Sequence, residues 1–198
     1  MSLLLMLIFS AFMAYIGSFW IDRLYKSSLE LSFPNEILLR SRYRKYFLFL
    51  AFMILFSLAG TDYFKIMAIY LLVLMTITDF EQYMLFDVMT MPLAFFGAFY
   101  AWVNDILLEN FIAAIIGGGF FLLLTIITRG ALGGGDVKLI FGLGFYLGAE
   151  KLLDVVLYGS IFGGLAGLTM ILTKKKDRKS YFAYGPYFTL TAIYFLLK

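Results

Sequence analysis

Two residue types are missing altogether from this 198-residue chain, cysteine and histidine. Without cysteine there is no disulfide, no thiolate metal site and no thiol nucleophile, and the redox compartment leaves no mark. Without histidine the usual general base and the commonest metal ligand are gone. Any acid–base chemistry must therefore rest on Asp, Glu, Lys or Tyr. Charge is scarce too: 15% of residues are charged against 63% hydrophobic. A water-soluble domain has roughly 45–50% apolar residues. With a mean hydropathy of +0.91, this chain has more apolar surface than a core can hide. The expected fold class is all-α, a polytopic membrane protein with the lipid bilayer as its first partner. No internal repeat is visible, which disfavours an inverted-repeat transporter. The 23 Phe and 14 Tyr read as lipid-facing and interfacial bulk, so no nucleic-acid partner is expected.

Apolar runs long enough to cross roughly 30 Å of hydrocarbon recur about eight times: near 3–21, 46–60, 63–78, 88–104, 110–128, 137–149, 154–173 and 182–197. Only Gly60-Thr61-Asp62 separates the second from the third, a tight hairpin. The first run has no cleavage-site pattern and no basic start, so it reads as a retained span. Gly159, Gly163 and Gly167 repeat at four-residue spacing, as do Gly144 and Gly148, and read as helix-packing positions. Of the 16 basic residues, six lie in 22–45, two (Arg129 and Lys138) after the fifth span and five in 174–179. In an eight-span chain these share one side, which the positive-inside rule makes cytoplasmic. The organisation divides into 1–45, an N-terminal span with a short basic loop, and 46–198, a membrane domain.

Two acidic stretches sit where apolar segments meet on that side. One is Asp79-Phe80-Glu81-Gln82-Tyr83-Met84-Leu85-Phe86-Asp87. The other is Gly133-Gly134-Gly135-Asp136, followed by Val137 and Lys138. An acid at a membrane segment is costly and marks function by default, and glycines leave room for a sharp turn or a close approach. Two carboxylates brought together can share a proton, so that one activates water while the other donates. That chemistry needs no His, Cys or metal. Asp79 and Asp136 are the expected pair. Proton relay, cation binding and pairing with Lys138 are the other uses open to such acids.

The run GGGDVKL resembles the G-x-G-D-x-K-L motif of the type IV prepilin peptidases, GxGD-type intramembrane aspartyl proteases. DFEQYMLFDVMTMP resembles that family's D-x-x-x-x-x-x-P-D-x-x-T-x-P segment, with Phe86 in place of the first proline and Thr90, Pro92 and Gly97 in keeping. Tyr184-Gly185-Pro186 is similar to the family's F-G-P turn. Gly17-Ser18-Phe19 with Arg23-Leu24 is similar to its G-S-F start. The resemblance implies that Asp79 and Asp136 are catalytic, with Gly133, Gly134, Gly135, Asp87 and Lys138 supporting or binding substrate. It implies a membrane aspartyl endopeptidase of the bacterial cytoplasmic membrane. That enzyme cuts the basic leader from prepilins or pseudopilins after a Gly, at the cytoplasmic face, with no cofactor and no metal.

One region departs from the pattern. Many members carry two C-x-x-C pairs in a longer first loop, linked to zinc and to N-methylation of the new N-terminus. Here the loop is shortened to about 22–45 and has no cysteine. The surviving Gly17, Ser18, Phe19 and Arg23 leave S-adenosylmethionine-dependent methylation as a further activity to test. The alternatives to a prepilin peptidase are an ion- or proton-coupled carrier and another GxGD protease. Members of the presenilin kind carry Tyr-Asp where this chain has Thr78-Asp79.

Overall fold

The computed structural model describes residues 3–28, 31, 43–129, 132–173 and 183–198. These form seven helices and, among the described residues, no strand: α1 (Leu3–Ser27), α2 (Arg44–Ala59), α3 (Tyr63–Gln82), α4 (Asp87–Val103), α5 (Leu107–Ile127), α6 (Gly134–Leu172) and α7 (Gly185–Leu197). The all-α expectation holds. Four helices, α1, α3, α5 and α6, are long and apolar enough to cross a bilayer, and α4 and α7 are shorter apolar helices. The basic residues 174–179, together with Arg40 and Arg42, lie outside the described residues.

The two expected spans 137–149 and 154–173 appear as one 39-residue element, α6, interrupted at Gly148 (φ 68, ψ −176). That conformation is essentially closed to residues with a Cβ, and it doubles the chain back. A Cβ on Gly117 would touch both Ile140 (3.2 Å) and Leu152 (2.6 Å). In one straight helix those two residues would stand about 18 Å apart. The break frees the Phe145 carbonyl, and the buried Asn110 amide donates to it (2.6 Å). Halves 134–147 and 149–172 are thus separate legs, and the eight expected apolar segments survive as eight legs in seven elements.

The core runs along α3. Twelve of its twenty residues are buried, Ala68 to Thr76 without a break, so this helix is covered on every side. On α1, Gly17 admits it: a Cβ there would lie 2.7 Å from Leu74. The ring stack of Phe52, Phe56 and Tyr70 joins it to α2. A hydroxyl pair, Thr76 and Thr189 (2.7 Å), joins it to α7. The outer helices are apolar all round and expose large side chains such as Phe95, Leu108 and Ile127, the pattern of a bundle surrounded by lipid. Gly159 and Gly163 let α7 settle on the second leg of α6, against Phe188 and Tyr184, which is the packing role their spacing suggests.

Capping fixes the turns. Gly60 takes a positive φ of 68. Asp62 then caps α3, accepting from the N–H groups of Phe64 and Lys65 (3.1 Å each). At the other end of α3 the chain stops at Tyr83 in the left-handed conformation (φ 55), whose N–H returns to the Asp79 carbonyl (2.9 Å). Because α3, α4 and α5 alternate in direction, the end of α3 and the start of α6 lie at the same end of the bundle.

Candidate active site

Asp79 occupies the last turn of α3 and Asp136 the first turn of α6. The structure brings them together. Their carboxylates lie within electrostatic reach of each other, and only 6% of Asp79 and 9% of Asp136 is exposed. These are two acids withdrawn from solvent with no basic side chain paired to either among the described ion pairs.

Backbone, not side chains, holds each one. Gly133 is the N-cap of α6, which makes Asp136 its third helical residue. The Asp136 N–H donates to the Gly133 carbonyl (3.0 Å), and the Gly133 N–H donates back to the Asp136 carboxylate. The return bond is the acidic half of a capping box. The Asp79 carboxylate accepts from the N–H of Gly185, the first residue of α7. The approach is so close that a Cβ on Gly185 would lie 2.7 Å from Asp79 Oδ2.

The turn between α3 and α4 is fastened over the same place. Leu85 fits between two glycines. A Cβ on Gly135 would meet Leu85 Cβ at 2.8 Å, and one on Gly185 would meet Leu85 Cδ1 at 3.3 Å. Gly134 has open space beside it, with nothing within 4 Å of such a Cβ. The three glycines therefore differ: Gly133 caps, Gly134 is open and Gly135 receives Leu85.

Asp87 and Lys138 pair with one another. Lys138 Nζ donates to both Asp87 carboxylate oxygens (2.6 and 2.7 Å), with each side chain about half exposed. The pair ties the start of α4 to the first turn of α6 at the rim. Gly17 and Ser18 are buried in the α1 packing, while Phe19 and Arg23 are exposed. Among the described residues, no group of three or more acids could hold a metal ion.

A second polar cluster, absent from the reading of the sequence, meets the last turn of α3, which also carries Asp79. Arg44, only 3% exposed, donates to Glu81 (Nε to Oε1, 3.0 Å), to Asp22 (2.7 Å) and to the Ser18 carbonyl (3.4 Å). The Tyr25 hydroxyl also donates to Glu81 (2.8 Å), and the guanidinium lies over the Tyr25 ring. The cluster binds α1, α2 and the last turn of α3 into one unit. Its partners are between 22 and 56 residues apart, and no local spacing announces it.

With that geometry in view, the comparison with known proteins is specific. Residues 66–168, which include both aspartates, match the type IV leader peptidase family. The chain belongs to that family. Similar relatives include the prepilin leader peptidase/N-methyltransferase of Bacillus subtilis, 31% identical over 144 residues, covering 70% of this chain and 57% of the relative. The Aeromonas hydrophila protein of the same name is 29% identical over 133 residues, covering 61% and 44%. That of Legionella pneumophila is 25% identical over 138 residues, covering 66% and 48%. The chain spans about half the length of these relatives. No solved structure matches. Family membership and the apolar helices together make this a multi-pass membrane protein.

Proposed function

We propose that this family member is an aspartyl endopeptidase that removes the basic leader of prepilins or pseudopilins at the cytoplasmic face of the bacterial inner membrane, cutting after a Gly. The observation that carries the reading is the closed pair of Asp79 and Asp136, each fixed by a glycine N–H at the end of a different helix. In such a pair one carboxylate takes a proton from water as the water attacks the scissile carbonyl. The other protonates the carbonyl oxygen; as the intermediate collapses, the first gives the proton it took from water to the leaving amine and the second takes back the hydroxyl proton.

The helix ends divide the roles. Asp136 sits at a helix N-terminus, where free N–H groups favour an anion; Asp79 sits in a last turn, where carbonyls do not. Asp136 is accordingly the base and Asp79 the proton carrier. The location at the end of the bundle suits a substrate whose apolar helix lies in the bilayer and whose leader lies in water. It also counts against a carrier, whose acids would be expected nearer mid-span.

The test is to incubate the full chain, purified in detergent or lipid, with a prepilin-type protein and to follow leader loss. Cleavage after the Gly is expected, and it should survive EDTA because the two carboxylates suffice for the chemistry. An intact substrate overturns the proposal; loss on chelation restored by zinc overturns the cofactor-free mechanism. Mass analysis of the same product addresses methyl transfer from S-adenosylmethionine. We expect an unmodified N-terminus: Gly17 and Ser18 are engaged in helix packing, and Phe19 and Arg23 face outward. A single added methyl would contradict that.

A further inference from the structure

The end of the bundle away from the aspartates carries a cleft of about 570 Å³ between α7 and the second leg of α6. Two rows of side chains line it. Asp154, Tyr158 and Phe162 come from α6, and Lys198, Tyr194 and Leu190 come from the end of α7. Each row steps by four residues, so each is one stripe of its helix, about 12 Å long. The two segments run in opposite directions: α7 starts beside Asp79, and the second leg of α6 starts at the far break, Gly148. The rows therefore match level by level, charge beside charge, tyrosine beside tyrosine and apolar beside apolar. Phe195, only 8% exposed and stacked on the Tyr158 ring (6.1 Å), forms the floor. The rims are open, with Tyr158, Phe162, Leu190 and Tyr194 all exposed.

That gradient is the one a bilayer interface imposes, with tyrosines at headgroup depth and apolar side chains below. An unfilled apolar cleft forfeits dispersion contacts, and at its deep end only hydrocarbon can fill it. The polar end selects the head. Asp154 and Lys198 both stand there, and neither takes part in an ion pair among the described residues. The neighbouring base, Lys151, donates to the Phe195 carbonyl instead (3.5 Å). We propose that the cleft binds one aminophospholipid. Its phosphate meets Lys198, its primary ammonium meets Asp154 beside the two tyrosine rings, and an acyl chain runs down between Phe162 and Leu190. A choline head has no N–H to donate to Asp154. An anionic glycerol head would satisfy Lys198 but set a negative charge near Asp154 with no cation to answer it. The inference stands apart from the peptidase reading above.

The experiment adds phosphatidylethanolamine or phosphatidylcholine, with identical acyl chains, to the full chain purified in detergent. Native mass spectrometry gives the Kd of the first lipid bound. The wild type should hold the ethanolamine lipid about three- to ten-fold more tightly, the size expected of a half-exposed charge contact helped by a ring. Asp154→Asn should remove that preference by weakening the ethanolamine lipid alone, and Lys198→Gln should weaken both lipids, since both carry the phosphate. Both substitutions lie at the rim, outside the core. Equal Kd values for the two lipids on the wild type overturn the proposal without any variant. A preference that survives Asp154→Asn overturns it too, because a phosphate contact alone would then explain the binding. So does a Lys198→Gln protein that binds both lipids as the wild type does.

Discussion

The Asp79 carboxylate accepts from a glycine N–H, and the absence of a side chain on Gly185 leaves room for that approach. Gly185→Ala tests this directly. The added Cβ would sit 2.7 Å from Asp79 Oδ2, so the carboxylate or the helix start must move. Displacements of about an ångström at reacting groups cost on the order of a hundred-fold in rate. We expect a loss of that size in kcat, with the protein still inserted in the membrane; unchanged kcat would show that the Gly185 contact does not position Asp79. The sequence made some of this legible. Asp79 and Asp136 announced themselves as acids at the borders of apolar runs, and Gly185 as part of a turn motif. Leu85 and Arg44 did not, because their partners lie far along the chain. A leucine in an apolar sequence looks like any other, and a buried arginine looks like one more cytoplasmic charge.

At the scale of elements, the decisive feature is the break in α6. Composition and length separated 137–149 from 154–173, but they did not show that a single residue makes the turn. Gly148 does so at φ 68 and ψ −176, with Asn110 capping the exposed end of the first leg. Replacing Gly148 by Ala should destabilise the protein by about 1–3 kcal/mol, the usual cost of holding a side-chain-bearing residue in such a region. It also forces a Cβ within 3.0 Å of Asn110 Oδ1. A lowered thermal midpoint in detergent is the expected measurement, and a midpoint equal to wild type would show that the turn relaxes. The left-handed Tyr83 was not foreseen either, since nothing about a tyrosine signals the end of a helix.

At the scale of the molecule, the account requires one orientation. The ends of α3 and α5 and the start of α6 share a side, and that side must face the cytoplasm if a basic leader is to be cut there. Single cysteines in this cysteine-free chain give a clean test. Positions in 25–40 and 174–179 should resist a membrane-impermeant label in intact cells, and position 105, in the α4–α5 turn, should react. Labelling of 174–179 from outside would reverse the orientation. The all-helical, lipid-surrounded architecture was legible from 63% hydrophobic residues gathered in continuous runs, which cross lipid as helices that satisfy their own backbone. The Arg44 cluster, which joins α1 and α2 to the last turn of α3, was not, since it depends on three helices meeting.

The central claim is that Asp79 and Asp136 act as one unit, and it is tested most directly by leader cleavage in asparagine variants. Asn preserves the size of Asp and much of its hydrogen bonding but cannot exchange the proton. Asp79→Asn and Asp136→Asn should each abolish cleavage while the protein stays in the membrane, and the double variant should be no worse than either, as for residues that work together. Asp87→Asn should keep substantial activity, because Asp87 is engaged with Lys138 at the rim; Glu81→Gln should too, because Glu81 is engaged with Arg44 and Tyr25 and not with either aspartate. A dead Asp87→Asn beside an active Asp79→Asn would move the pair to Asp87 and Asp136. Cleavage by both Asp79→Asn and Asp136→Asn would contradict the aspartyl mechanism outright.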